Sequence, residues 1–414
     1  MKTRYIILAA GFLAVCAAAN IGCSCGTDRG DVRVVPVPSV SIAVSGSGAD
    51  VVMGGYGSSM CYNEADSCFW LLTDRGPNVD GPVPESKVFA CEGFVPRVGR
   101  FRLDGGKLVK VGDILITDVD GNPFSGLPVY EGDGGTGEIG YDIRSEVICD
   151  TLHRGIDTEG LALVGDGTFW VSDEYGPYVM HFDADGRLIE EYTPFNGGLP
   201  RILALRRPNR GMEGLTYSAE NNTLYGIMQS PLYNPDSSTG DVSSLCRIIG
   251  IDLENGVTTQ YLYRLENPRN VVSDIMAMND GRFLMLERDG AFPKGGEGFK
   301  RVYLTDLTDA TEISQLDTEG VVPEMLSDED LAGMQVQTAT KELYCDILES
   351  APGYPHDKPE GMCIAEGRLC IVNDDDFGIA SHKISDGRVV EKTIPGTDRR
   401  DACEIYMIDT ASLR

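Results

Sequence analysis

Histidine is scarce, with four in 414 residues, and no two cysteines form a C-x-x-C pair. The ligand spacing of a zinc site is therefore missing. Basic side chains are also few, since 35 Lys and Arg face 64 Asp and Glu for a formal charge of −29. Binding a phosphate backbone needs a basic surface, which excludes nucleic acid as a partner. Neither G-x-S-x-G nor a P-loop occurs, which removes the α/β-hydrolase and NTPase classes. The one long apolar run, Tyr5 to Ala19, is shorter than the roughly 20 residues of a spanning helix. What remains is 42% hydrophobic, enough for a large core in one large or two ordinary domains. The 50 Gly and 21 Pro show no G-X-Y period, and turns at that frequency fit an all-β architecture.

Lys2 and Arg4, followed by that apolar run, have the pattern of a signal peptide. Two cleavage sites compete: one after the small residues Ala17-Ala18-Ala19, the other before Cys23 in Asn20-Ile21-Gly22-Cys23. The second, with lipid on Cys23, is preferred although Asn20 stands where Leu is usual, because two such signals rarely coincide. This reading divides the chain into a leader at 1–22, a linker with a closing strand at 23–50 and one domain at 51–414. The product is an exported monomer of the bacterial periplasm, outer membrane or cell surface that touches membrane only through its lipid. Loss of the leader's two cations takes the charge to −31. Export permits disulfides among the nine cysteines beyond Cys25. A turn at Glu366-Gly367 would set Cys363 opposite Cys370, and Cys61 and Cys68 flank a short polar loop. As small hydrophobes, all four would equally suit a core.

The chain repeats itself. Glu159-Gly160-Leu161-Ala162-Leu163 leads through Gly-Asp-Gly to 168–174, Glu213-Gly214-Leu215-Thr216-Tyr217 through Asn-Asn to 223–229, and Glu360-Gly361-Met362-Cys363-Ile364 through Glu-Gly to 368–374. Weaker copies begin at Gly57 and Ser273. Each reads as strand, tight turn, strand. A third strand ending in Asp follows, as in Ile248-Ile249-Gly250-Ile251-Asp252, and four units add a fourth strand. Four strands repeated radially make the blade of a β-propeller, so an all-β propeller of five to seven four-stranded blades is expected. The last unit stops at Asp409 without a fourth strand, and 32–44 has strands without a hairpin partner. The N- and C-terminal strands would therefore close the ring in one shared blade. The stretches 118–157 and 317–358 are too long for plain loops and would hold a further blade or insertions, with Ser327 capping a short helix.

In a propeller the innermost strand begins, and the second strand ends, on one face of the disc. That places Glu159 near Asp173 and Glu174, Glu213 near Gln229, Asp274 near Glu287, and Glu360 near Asp374, Asp375 and Asp376, with Asp74 from the first unit. Carboxylates gathered in this way need raised pKa values or cations, and Arg75, Arg210 and Arg288 come from the same loops. Such a cluster has three uses. Its oxygens can hold a hard cation such as Ca²⁺, or one carboxylate can serve as base for a hydrolytic water while arginines hold an anion. The third use is structural, with Asp and Glu capping turns and pinning blade to blade. Asp118-Val119-Asp120-Gly121-Asn122 begins like a calcium loop, but Pro123 occupies the Gly position and the segment reads as a turn.

Thr73-Asp74-Arg75-Gly76-Pro77-Asn78, Ser172-Asp173-Glu174-Tyr175-Gly176-Pro177, Asn209-Arg210-Gly211-Met212-Glu213-Gly214, Leu286-Glu287-Arg288-Asp289 and Asn373-Asp374-Asp375-Asp376-Phe377-Gly378 occur in this order between Gly54 and Asp409. Together they resemble the bacterial phytase-like family, described as having esterase-like activity of phytase. The resemblance implies an exported propeller that hydrolyses phosphate esters or related esters. A lactonase or carboxylesterase, or a non-catalytic ligand-binding surface protein, are the alternatives on the same fold. In the hydrolase reading Asp74, Glu159, Glu213, Glu360 and Asp374 would hold Ca²⁺. Asp173, Glu174 and Glu287 would orient or deprotonate water, and Arg75, Asn78, Arg210, Gln229 and Arg288 would bind a small anionic or ester substrate. Asp376 stands where many relatives would carry Asn, so the charge here would differ.

Overall fold

Phe169-Trp170-Val171 is apolar at every position rather than at alternate ones, which suits a strand covered on both faces. The computed structural model, which describes residues 28–29, 32–43, 50–129, 134–148, 154–385 and 388–413, shows what covers it. Thr158–Leu163, Phe169–Asp173, Tyr178–Phe182 and Leu188–Tyr192 form an antiparallel four-stranded sheet, with similar sheets from Ser59–Asn63 to Lys107–Leu115, Met212–Ser218 to Thr258–Arg264 and Val271–Ala277 to Thr340–Asp346. In a fifth sheet Pro359–Ala365 and Arg368–Asn373 are followed by Glu404–Asp409, and Val32–Pro36 pairs with that last strand. The chain ends therefore share a blade. The first strands of the five sheets adjoin one another in a closed circle, and the chain is a β-propeller.

The core lies in the wedges between neighbouring blades. One wedge joins Trp70, Leu72 and Val98 to Leu161, Phe169 and Val171. Another joins Leu284, Leu286 and Val302 to Met362, Leu369 and Ile371. Each such side chain, wholly buried, contributes roughly 1.5–3 kcal/mol. Cys363 pairs with Cys370 across the hairpin as expected, whereas Cys61 lies opposite Trp70 rather than Cys68. Among the described residues all eight cysteines carry free thiols. The leader and Cys23 lie outside the described residues.

Short sheets cover the mouth face, where second strands end and where the connections between blades run. Asn78–Asp80 and Ser86–Phe89 form a hairpin that Ile139–Tyr141 extends in parallel, and Val40–Ala43 pairs with Asp50–Met53 across the expected boundary at residue 50. These pieces share a small core of Val51, Val79, Val88, Phe94, Phe377 and Val389. Among the described residues 118–157 and 317–358 add no further blade. The second stretch carries the helix Asp328–Met334, which Ser327 and Asp330 cap reciprocally, and the fourth strand Thr340–Asp346.

Candidate functional site

The repeated Glu-Gly pairs sit at breaks in the sheet ladder. Register shifts fall between Thr158 and Leu161, Met212 and Gly214, and Pro359 and Gly361. A bulge of this kind re-aims a side chain, here Glu159, Glu213 and Glu360. Glycine follows each of them because the neighbouring inner strand passes close by. A Cβ on Gly160 would lie 2.6 Å from Leu215 N, on Gly214 2.6 Å from Ile275 N and on Gly361 2.7 Å from Met60 N. Blade-to-blade hydrogen bonds hold that spacing, with Leu161 N donating to Ser59 Oγ and Met362 N to Asp274 Oδ2.

These features surround a cavity of about 340 Å³ at the axial mouth. Of the residues expected at the site, Asp74, Arg75, Asn78, Glu159, Glu174, Arg210, Glu213, Gln229, Arg288, Glu360 and Asp374 line it. Two do not. Asp173 turns away, its Oδ1 accepting from Asp157 N and Tyr175 N at 3.0 and 2.9 Å, and burial pushes its carboxyl up to about 7. Glu287 accepts from Tyr263, Glu266 N and Asn270 and pairs with Lys341 at 2.7 Å. Neither carboxylate, both expected as catalytic groups, lies on the cavity wall. Asp157, Asn209, Lys358 and Asp376 also line the cavity. Asp157 was legible in hindsight as the Asp two residues before Glu159.

Eight carboxylates and five basic side chains face the cavity, an excess of three negative charges if all ionise. Asp157, Glu159 and Glu174 each offer an oxygen within 4.8 Å of the others, and all three are buried. Burial and then repulsion from Glu213 raise Glu159 and Glu174 well above the usual carboxylate range. Glu213 is pushed up to about 8 by burial and by Glu360, and its buried Oε2 finds no hydrogen-bond partner among the described residues. Hard oxygen donors, crowding and an unmatched acceptor together fit a hard divalent cation. Of the five residues expected to hold a cation, Glu159 belongs to this trio with Asp157 and Glu174, Glu360 is paired with Arg288, and Asp74, Glu213 and Asp374 line the same cavity outside the trio.

The arginines are not equivalent. Arg75 pairs with Glu138 at 3.0 Å and with Asp157 at 3.3 Å, and Arg288 pairs with Glu360. Arg210 forms no ion pair among the described residues, and burial, with Arg207 and Arg288 nearby, lowers its pKa. Its charge is the one left for a ligand. The extra charge at Asp376 is matched by Lys358 at 2.6 Å and Lys392 at 2.8 Å, which hold its carboxyl far below the usual range.

Lys392 connects this wall to a deeper group through Asp401 at 3.1 Å. His356, wholly buried, meets Asp401 at 2.6 Å and Glu404 at 3.1 Å, with the Tyr406 hydroxyl at 3.4 Å and the Tyr354 ring beside it. Burial disfavours the imidazolium, but the two carboxylates outweigh it and raise His356 above its ordinary value, while both carboxylates are held low. Stability from the imidazolium is full below the unfolded histidine value and lost as pH rises through the folded one. Stability from Asp401 and Glu404 is lost as pH falls. The melting-temperature advantage of the native chain over a His356→Asn variant should therefore shrink as pH rises above the ordinary histidine value of about 6.5. A constant advantage above that value would show the imidazole to be neutral.

A family model for phytase-like proteins, described as esterase-like activity of phytase, matches residues 52–377. An uncharacterized secreted protein of Arthroderma benhamiae is 26% identical over 61% of this chain and 62% of its own length, so the chain spans about three-fifths of that relative. Among solved structures, virginiamycin B lyase from Staphylococcus aureus is similar at 10% identity and a TM-score of 0.32, covering 91% of this chain and 99% of the lyase. A protein from Lactobacillus plantarum is similar at 11% identity and a TM-score of 0.37, covering 91% of this chain and 99% of its own. The fold rests on the sheets themselves.

Proposed function

Because the chain belongs to the phytase-like family, we propose that it is an exported hydrolase of anionic esters, phosphate esters above all, assisted by a divalent cation such as Ca²⁺. The observation that carries this reading is one cavity holding three crowded carboxylates and, among the described residues, an unpartnered glutamate oxygen and an unpaired guanidinium. Asp157, Glu159 and Glu174 would hold the cation. When bound, it would offset the carboxylate excess and draw charge from a phosphoryl oxygen. Arg210 binds the anionic oxygens of the substrate, and Gln229 and Asn78 border the same space. Glu213 Oε2, ionised as pH rises through its value of about 8, takes a proton from the attacking water as that water's oxygen bonds to phosphorus. The ester P–O bond breaks, and the alcohol leaves with a proton from solvent.

The test is turnover of phytate, p-nitrophenyl phosphate and p-nitrophenyl acetate by the mature chain, in Ca²⁺ and in chelator. Arg210→Ala should raise KM for the phosphate about 10-fold or more, because a charge-assisted hydrogen bond contributes roughly 1.5–3 kcal/mol. Preference for the acetate would move the reading to a carboxylesterase. A folded chain that turns over none of the three would leave a ligand-binding propeller.

A further inference from the structure

A second cavity, of about 590 Å³, opens beside the axial one, and Lys87 and Asn209 line both. A single turn serves the two spaces. Arg210 N donates to Arg207 O at 3.1 Å, closing Arg207-Pro208-Asn209-Arg210, and Asn209 sits at φ 54°, which asparagine tolerates in a turn with proline before it. Pro208 faces the side cavity, Arg210 the axial one and Asn209 both. On the opposite wall Glu138 lines the side cavity while gripping Arg75 of the axial one. An ester whose anionic group reaches Arg210 would thus carry its other half past Asn209 into the side cavity.

The side cavity has its own chemistry. Asp80, Glu85 and Glu138 line it with Lys87 as the one cation among its described lining residues; Lys87 pairs with Asp80 at 2.7 Å and Glu138 with Arg75 at 3.0 Å, which leaves Glu85 as the surplus carboxylate. Tyr233 and three prolines supply non-polar wall. At the junction, buried Asn209 Oδ1 has no hydrogen-bond donor among the described residues. An unmatched buried acceptor calls for a donor from a ligand. Carboxylates accept hydrogen bonds from hydroxyls and, where one is in surplus, repel phosphates, and aromatic and proline surfaces suit the C–H face of a ring.

We propose that this cavity binds the alcohol half of the substrate as a hydroxylated ring, so that the preferred ester is a sugar monophosphate rather than a polyphosphorylated ring. The proposal rests on the hydrolase reading only for the phosphate half, and its test separates the two. Ligand-observed NMR with free glucose reports the side cavity without any turnover. Rates with glucose 1-phosphate, methyl phosphate and inositol hexakisphosphate report the chemistry. Native chain should contact glucose and favour glucose 1-phosphate over both other esters. Asn209→Gly, which keeps the positive φ, should abolish the glucose signal and lower the rate ratio of glucose 1-phosphate to methyl phosphate at least about 10-fold, the effect of leaving a polar contact unmade. The exposed Glu85→Lys should raise the rate on inositol hexakisphosphate severalfold. Glucose contact that Asn209→Gly removes, in a chain that cleaves no phosphate ester, would uphold the ring site and end the phosphate-ester reading. Absence of glucose contact, or preference for the hexakisphosphate, would overturn the ring site and leave the hydrolase reading to its own assay.

Discussion

In calcium, a Glu174→Gln variant is expected to show no rise in melting temperature, where the native chain gains several degrees. A cation at 100 times its dissociation constant stabilises the folded state by about 2.7 kcal/mol. Only a folded chain that assembles Asp157, Glu159 and Glu174 within 4.8 Å can collect that energy. The sign in chelator is the informative part. Glu174 is buried against Glu213 and Asp157, and its carboxyl is raised well above the usual range. The amide removes that repulsion, so the metal-free variant should melt at or above the native chain, whereas an ordinary change in a packed core lowers it. Glu213→Gln should behave differently, keeping the calcium response while turnover falls about 100-fold or more, the contribution of a positioned base. Differential scanning calorimetry with and without chelator reads both variants. A calcium response that survives Glu174→Gln places the cation elsewhere, and a native chain without one removes the cation from the proposal.

Why the blades were legible and parts of the site were not comes down to the range of each signal. A blade is a run of hairpins, so Glu213-Gly214, its Asn-Asn turn and the strand Thr223–Met228 announce themselves within about 20 residues. Closure was legible as a deficit, a last unit lacking the strand that Val32–Pro36 supplies. The mouth sheets carry no such signal. Ser86–Phe89 takes Ile139–Tyr141 as a parallel neighbour from another insertion, a choice made by tertiary packing rather than by either three- or four-residue segment. At the site, sequence position gave height along the axis but not direction. Successive side chains of a strand point to opposite faces, so Glu287 and Arg288 cannot both face the cavity, and Asp173, the last residue of its strand, parts from Glu174 in the turn that follows. In each pair the second residue faces inward and the first anchors a loop. Asp157 escaped notice because it precedes the repeated unit and is positioned by the Arg75 backbone and guanidinium of another blade.

The same geometry makes Gly214→Ala a damaging single-methyl change at the site. An added Cβ would lie 2.6 Å from Ile275 N and 2.8 Å from Asp274 Cα. Both are backbone atoms of the next inner strand, and Asp274 is itself tied to the following blade through Met362 N at 2.7 Å. No side chain can swing aside, so the two inner strands must part. Overpacking typically costs about 1–3 kcal/mol, and a clash with backbone belongs at or beyond the upper end. Gly333, in the helix Asp328–Met334, meets nothing within 4 Å. Gly333→Ala should therefore be neutral or stabilising by up to about 1 kcal/mol. Urea unfolding of the two variants beside the native chain measures the difference. Parting these strands also moves Glu213 relative to Glu159 and Glu360, so Gly214→Ala should lose turnover at temperatures where it is still folded. A cost below about 1 kcal/mol, little more than the residue-to-residue preferences of an exposed strand, would mean that the ring tolerates wider spacing, and that the Glu-Gly pairs do not set how closely the carboxylates gather.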